Sequence, residues 1–159
     1  MLQLDLVKEA QNMSIAIGSD HAGYQLKERI KQFLDQSHIE YKDFGTHSTE
    51  SVDYPDIAIQ VAKAVSENKA ERGILICNTG IGMSLVANKV PHIRAALCIS
   101  AEIAKLARVH NDANLLALGS LETDPQHVDE IVKTFLETPF EKGGRHERRV
   151  KKIHDLTGV

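Results

Sequence analysis

Short apolar runs with no polar alternation inside them recur along the chain: residues 14–18, 73–77, 94–98 and 115–119. A further short strand pattern spans 40–44 and is ended by Gly45. Between the runs lie amphipathic stretches. Leu26, Ile30, Phe33 and Leu34 give residues 23–36 a helical stripe, and Ile57, Ala58, Val61, Ala62 and Val65 do the same behind Pro55. Helices are also expected over 81–88, before Pro91, and over 100–109, with Ser100 as N-cap. Another starts at Asp124-Pro125, with Val128, Ile131, Val132, Phe135 and Leu136 inside, and a last basic one runs over 147–156. A strand that is apolar on both faces belongs to a parallel sheet covered by helices on both sides. The expected fold class is therefore α/β, a doubly wound three-layer sandwich on a five-stranded parallel sheet of order 2-1-3-4-5. A (β/α)8 barrel needs about 250 residues, and the chain has 159.

That length suits one domain, expected over residues 13–159. Residues 1–12 stand outside the alternation as an N-terminal extension, either an accessory helix or an unstructured tail. They carry Asp5 and Glu9 and no long apolar segment, so they do not read as a secretory signal. No apolar run approaches the roughly 20 residues of a membrane span. Lys plus Arg number 19 against 22 Asp plus Glu, a net charge of −3, which argues against a nucleic-acid binder. Trp is absent, so a base-stacking platform is not expected. Two cysteines, Cys77 and Cys98, are too few for a disulfide framework and point to a reduced, cytoplasmic setting.

In an open α/β sheet, ligands bind beyond the carboxyl ends of the strands where the strand order reverses. In the expected order that point lies between strands one and three. The residues just past those strands are Ser19-Asp-His21 and Cys77-Asn-Thr-Gly-Ile-Gly82. A thiol ahead of a helix N-terminus is favoured as thiolate, and Gly80 and Gly82 let backbone N–H groups turn toward an anion. The plain alternative is a buried cysteine in an ordinary strand-to-helix turn. A phosphatase loop would need Arg at position 83, where Met83 stands, and a dinucleotide fingerprint would need Gly at position 85, where Leu85 stands. Asp20 on its own reads first as the N-cap of the next helix, and His110-Asn-Asp-Ala-Asn114 as a loop of Asx turns or as an acid–base histidine oriented by its neighbours. Residues 143–152 hold five Lys/Arg and one Glu. Arg145 and Arg149, four apart, point the same way on a helix, as phosphate ligands or as part of a solvated face. The eight histidines include no H-E-x-x-H and no Cys/His cluster, so neither a metal site nor a cofactor is expected. Cys98, inside an apolar run, reads as a small core residue.

Seven blocks together carry a resemblance. They are Ser19-Asp-His-Ala-Gly23, Asp53-Tyr-Pro-Asp56, Gly73-Ile-Leu-Ile-Cys-Asn-Thr-Gly-Ile-Gly-Met83, Ala87-Asn-Lys-Val-Pro91, Arg94-Ala-Ala-Leu-Cys98, His110-Asn-Asp-Ala-Asn114 and Gly143-Gly-Arg-His146. Over residues 13–157 the chain resembles the type B ribose-5-phosphate isomerases, whose relatives act on allose and galactose 6-phosphates. The resemblance implies a metal-independent aldose–ketose isomerase of the pentose phosphate pathway, interconverting ribose 5-phosphate and ribulose 5-phosphate. The alternative is the same reaction on a six-carbon 6-phosphate. It also implies a homodimer or homotetramer with active sites shared between subunits.

By position, Cys77 resembles the base that moves a proton between C2 and C1, and His110 the group that opens the sugar ring. Thr79, Gly80, Ile81 and Gly82 resemble the anion hole, with Thr79 counted among the catalytic residues. Asp20, His21 and Asn111 resemble sugar-binding residues, and Arg145 and Arg149 phosphate ligands; Asn78, next to the base, is counted with the substrate-binding residues as a side chain that contacts the substrate or points away. Two positions depart from the family pattern: Asn78 stands where Gly is usual, and Leu121 where many members have Arg. A non-catalytic receiver-like module would share the sheet. It would need Asp at the end of strand three and Lys at the end of strand five, where Cys77 and Ser120 stand.

Overall fold

The computed structural model describes residues 13–159; the N-terminal extension lies outside the described residues. Its strands are β1 (Ile15–Ser19), β2 (Tyr41–Asp43), β3 (Arg72–Cys77), β4 (Ala95–Leu97) and β5 (Leu115–Gly119). The helices are α1 (Tyr24–Gln36), α2 (Tyr54–Ser66), α3 (Ile81–Ala87), α4 (Ala101–Asn111), α5 (Val128–Glu137) and α6 (Arg145–Thr157). All strand pairs are parallel. The α/β sandwich expected from the apolar runs is present. One correction applies: the strand order is β2-β1-β3-β5-β4, so the last two strands are exchanged relative to the expected 2-1-3-4-5.

The exchange follows from burial. All five residues of β5, Leu-Leu-Ala-Leu-Gly, are buried, and they sit between β3 and β4. β4 has three residues and its Leu97 is exposed, which suits an edge. The reversal point between β1 and β3 is untouched by it.

Alternate strand residues feed two cores. Ile15, Ile17, Ile74, Ile76, Leu116 and Leu118 face α1, α4 and α5, while Ala16, Leu75, Cys77 and Leu115 face α2 and α3. Ser100 is the N-cap of α4, its hydroxyl accepting the Ile103 N–H at 3.2 Å. Asp124 and Pro125 form a turn before α5 rather than its first residues. The Asp124 carbonyl accepts the N–H groups of His127 and Val128, and its carboxylate accepts that of Gln126. α6 starts at Arg145, two residues before the expected start, because extended Gly144 serves as its N-cap. Among the described residues no helix is long and apolar enough to cross a membrane.

Candidate active site

Cys77 closes β3 and points into the core beneath α3, 5% exposed. The Gly80 N–H donates to its Sγ at 3.1 Å. Gly80 makes that turn with φ +76°, and a Cβ there would lie 2.5 Å from Leu97 Cδ1 and 2.9 Å from the Leu118 carbonyl carbon. Glycine is the side chain that both the left-handed backbone and the space admit. The Thr79 hydroxyl accepts the Ile81 N–H at 3.3 Å. An incoming oxyanion at this turn therefore competes with Sγ for one N–H and with Oγ1 for the other, and the Thr79 bond is the longer.

The turn is braced from the neighbouring strand. The Ser120 N–H donates to the Cys77 carbonyl and the Leu121 N–H to the Asn78 carbonyl, both at 2.9 Å. Asn78 is exposed beside them, and Leu121 is two-thirds exposed, an apolar side chain at the mouth. A Cβ on Gly82 would lie 2.6 Å from Tyr54 Cζ. Tyr54 thus lines this end of the sheet although sequence reasoning did not single it out. Its signal was its place within Asp53-Tyr-Pro-Asp56.

Across the reversal point, the Asp20 N–H donates to the Ile76 carbonyl at 3.1 Å, and its Oδ1 accepts the Gly23 N–H at 3.0 Å. Asp20 is not the N-cap of α1, a place Gly23 takes; its carboxylate instead closes the turn that leads into the helix. His21 Nδ1 accepts the Val52 N–H at 3.2 Å, which places the proton of the neutral ring on Nε2. Asp20, His21 and the 77–82 turn share one end of the sheet.

His110 and Asn111 do not. They end α4, where Asp112 adopts a left-handed cap with φ 46°. Arg108, almost fully buried, holds Asp112 at 2.8 Å and also donates to the carbonyls of Ala113 and Thr138. Arg94 meets Asp112 at 3.2 Å. His146, at the start of α6, stacks on His110 with ring centroids 4.3 Å apart. Partial desolvation, then His110, then Arg145 and Arg149 hold His146 below the ordinary imidazole value. Arg145 and Arg149 are exposed on α6 beside this stack. His146 is a second residue that sequence reasoning passed over, because only the packing of α6 on α4 puts it against His110.

The two groups lie at opposite ends of the sheet. Cys77 pairs with Gly119, whereas Gly73 pairs with Leu115, and His110 precedes Leu115 in the chain. At roughly 3.3 Å per residue, the six residues of β3 set those two ends about 16 Å apart. No small sugar held by one chain touches both. Among the described residues no group of three metal-ligating side chains is found. Cys98 is fully buried with its Sγ 3.7 Å from the Ala96 carbonyl, and burial pushes its thiol up to about 12.

The family model for Ribose/Galactose Isomerase matches residues 15–153. Ribose-5-phosphate isomerase B of Escherichia coli (strain K12) is 45% identical over 139 residues, 87% of this chain and 93% of that protein. The solved structure of Clostridium thermocellum ribose-5-phosphate isomerase B superposes with a TM-score of 0.89 at 51% identity, covering 92% of this chain and 98% of that one. That of the Mycoplasma genitalium enzyme, solved with bound ribulose-5-phosphate, gives 0.87 at 41% identity, covering 92% and 97%. The chain belongs to the ribose/galactose isomerase family. It is an enzyme, a sugar-phosphate isomerase.

Proposed function

We propose that the enzyme interconverts ribose 5-phosphate and ribulose 5-phosphate by proton transfer at Cys77. The thiol carries this reading: it ends β3 at the reversal point, with the Gly80 N–H on its sulfur. As thiolate it removes the proton from C2 of the open-chain aldose, and the carbonyl electrons move onto O1. The enediolate that forms is stabilised by N–H groups of the 79–82 turn, where one such donor is worth roughly 2.7–4 kcal/mol. The hydroxyl proton passes from O2 to O1, the proton on Sγ returns to C1, and C2 keeps its oxygen as the carbonyl of the ketose. Acid–base groups suffice for this route. Asp20, His21 and Asn78 hold the sugar hydroxyls.

His110 opens the sugar ring, Asn111 orients it, and Arg145 and Arg149 bind the phosphate, all from a second copy of the chain. The separation of the two halves within one chain supports that sharing. So does an exposed apolar face around the edge of β4, which is unpaired among the described residues: Ile81 and Leu85 on α3, Leu97 and Ile99 along the edge, Ile103 and Leu106 on α4. A contiguous apolar surface of this kind fits a subunit contact, and it borders the Cys77 turn through α3. The choice of a five-carbon substrate rests on the named relatives. A coupled assay of the purified protein on ribose 5-phosphate, allose 6-phosphate and galactose 6-phosphate tests it. A higher kcat/KM on either six-carbon sugar would overturn the ribose assignment.

A further inference from the structure

Lys27, on α1, has no exposed surface. Its ammonium lies 2.7 Å from Asp43 Oδ1 and 2.6 Å from Oδ2, at the end of β2. Lys31 reaches the same carboxylate at 2.9 Å while also meeting Glu28 at 2.8 Å. Asp43 Oδ1 accepts the Gly45 N–H at 2.8 Å as well. The strand pairing continues past β2 from there. The Gly45 carbonyl accepts the Ser19 N–H, and the Thr46 N–H donates to the Ser19 carbonyl, both at 2.6 Å.

Asp20 comes next in the chain, and its Oδ1 accepts the Gly23 N–H. The Gly23 carbonyl in turn accepts the N–H of Lys27 at 2.9 Å. The contacts close into a ring that runs Lys27, Asp43, Gly45, Ser19, Asp20, Gly23 and back to Lys27.

A buried ion pair is a poor device for stability, since desolvating two charges offsets most of their attraction. It does define geometry, because the ammonium and carboxylate hold their partners in one arrangement. We propose that Lys27 and Asp43 are positioning residues for the isomerase, which through Gly45 and Ser19 hold Asp20 and His21 in register with the Cys77 turn. This rests on the placement of Asp20 and His21 in the substrate site. Neither Lys27 nor Asp43 needs to touch substrate. A displacement of about 1 Å at a positioning contact can cost a hundredfold in rate, so the effect is visible in kinetics.

The test replaces the pair by apolar groups of similar size, K27M/D43L, in the full-length enzyme. Such replacements of buried pairs are often neutral for stability. The melting temperature is expected within a few degrees of the parent, with kcat/KM per folded molecule down at least tenfold. Amide exchange at Ser19, Gly45 and Thr46 should speed up. D43N, which keeps an acceptor for the Gly45 N–H, should retain more activity per folded molecule than the double variant. Activity that falls only in step with the folded fraction, in both variants, overturns the proposal. D20N is the control. If D20N loses activity while K27M/D43L keeps it, the positioning role alone fails. If D20N is also unaffected, the placement of Asp20 in the site fails, and the positioning role with it.

Discussion

The imidazole rings of His110 and His146 stack face to face, 4.3 Å between centroids and 15° between planes, joining the end of α4 to the start of α6. His146 titrates below an ordinary histidine because of partial desolvation and its cationic neighbours. Its folded value lies below the unfolded one, so its contribution to stability is full above the ordinary value near 6.5 and declines as pH falls through it. A neutral ring against His110 fixes the orientation of the proposed acid–base group. His146→Ala is expected to lower kcat/KM about tenfold. His146→Phe keeps a stacking ring and should retain most activity. Equal kinetics for both variants, measured from pH 5 to 9, would remove the stack from the mechanism.

The two thiols should behave differently. Cys77→Ser is expected to abolish turnover, because a hydroxyl is too weak an acid to supply the base. Cys98→Ala should keep most activity, and Cys98, buried with its thiol pushed up to about 12, should resist alkylation in the native protein. Mass spectrometry of the alkylated enzyme with parallel rate loss checks this; modification of Cys98 first would contradict it.

Arg145 and Arg149 sit one helical turn apart on α6, both exposed. Each charge-assisted bond to a phosphate is worth roughly 1.5–3 kcal/mol. Arg145→Ala and Arg149→Ala should each raise KM by tenfold or more and weaken inhibition by inorganic phosphate. Unchanged KM in both variants would leave this helix a solvated basic face.

Sharing of the site between copies can be measured directly. Cys77→Ala and His110→Ala chains carrying different tags form mixed dimers in which one site has both defects and the other has neither. Purified mixed dimers should recover about half the parent activity per dimer. Activity no higher than that of either parent variant would place both residues in one chain's site, against the separation along β3.

Acid should weaken the protein partly through Asp43. Burial raises this carboxyl, but Lys27, the Gly45 N–H and Lys31 outweigh that and hold it below its ordinary 3.8. A folded value below the unfolded one gives stability that is present above 3.8 and is lost as pH falls through the folded value. Among the described residues, Asp43→Asn leaves the buried Lys27 ammonium with only the Glu28 carboxylate, 3.7 Å away, and should cost about 3 kcal/mol near neutral pH. Urea titrations at pH 7 and pH 3 check the sign: the gap between variant and parent should narrow in acid.

Much of this protein was determined locally and could be read in the chain. The apolar runs at 73–77 and 115–119 imply strands buried on both faces, because no polar side chain alternates within them. Ser100 caps α4 through its own hydroxyl, a contact three residues long. The thiol and glycines of 77–82 announce a strand-to-helix turn through their own backbone preferences. Tertiary structure decided the rest. Which strand lies beside β3 is a choice between β4 and β5 that no local pattern records; it falls to β5 because only its five residues are all buried. No local pattern marks Lys27 as a buried charge; its ammonium is held by Asp43, sixteen positions away. Cys77 and His110 look like partners in sequence, yet the parallel sheet sends one to the carboxyl end and the other to the amino end. Every helix that connects parallel strands must run back the length of the sheet, so residues ending α4 cannot reach the residues that follow β3 within one chain.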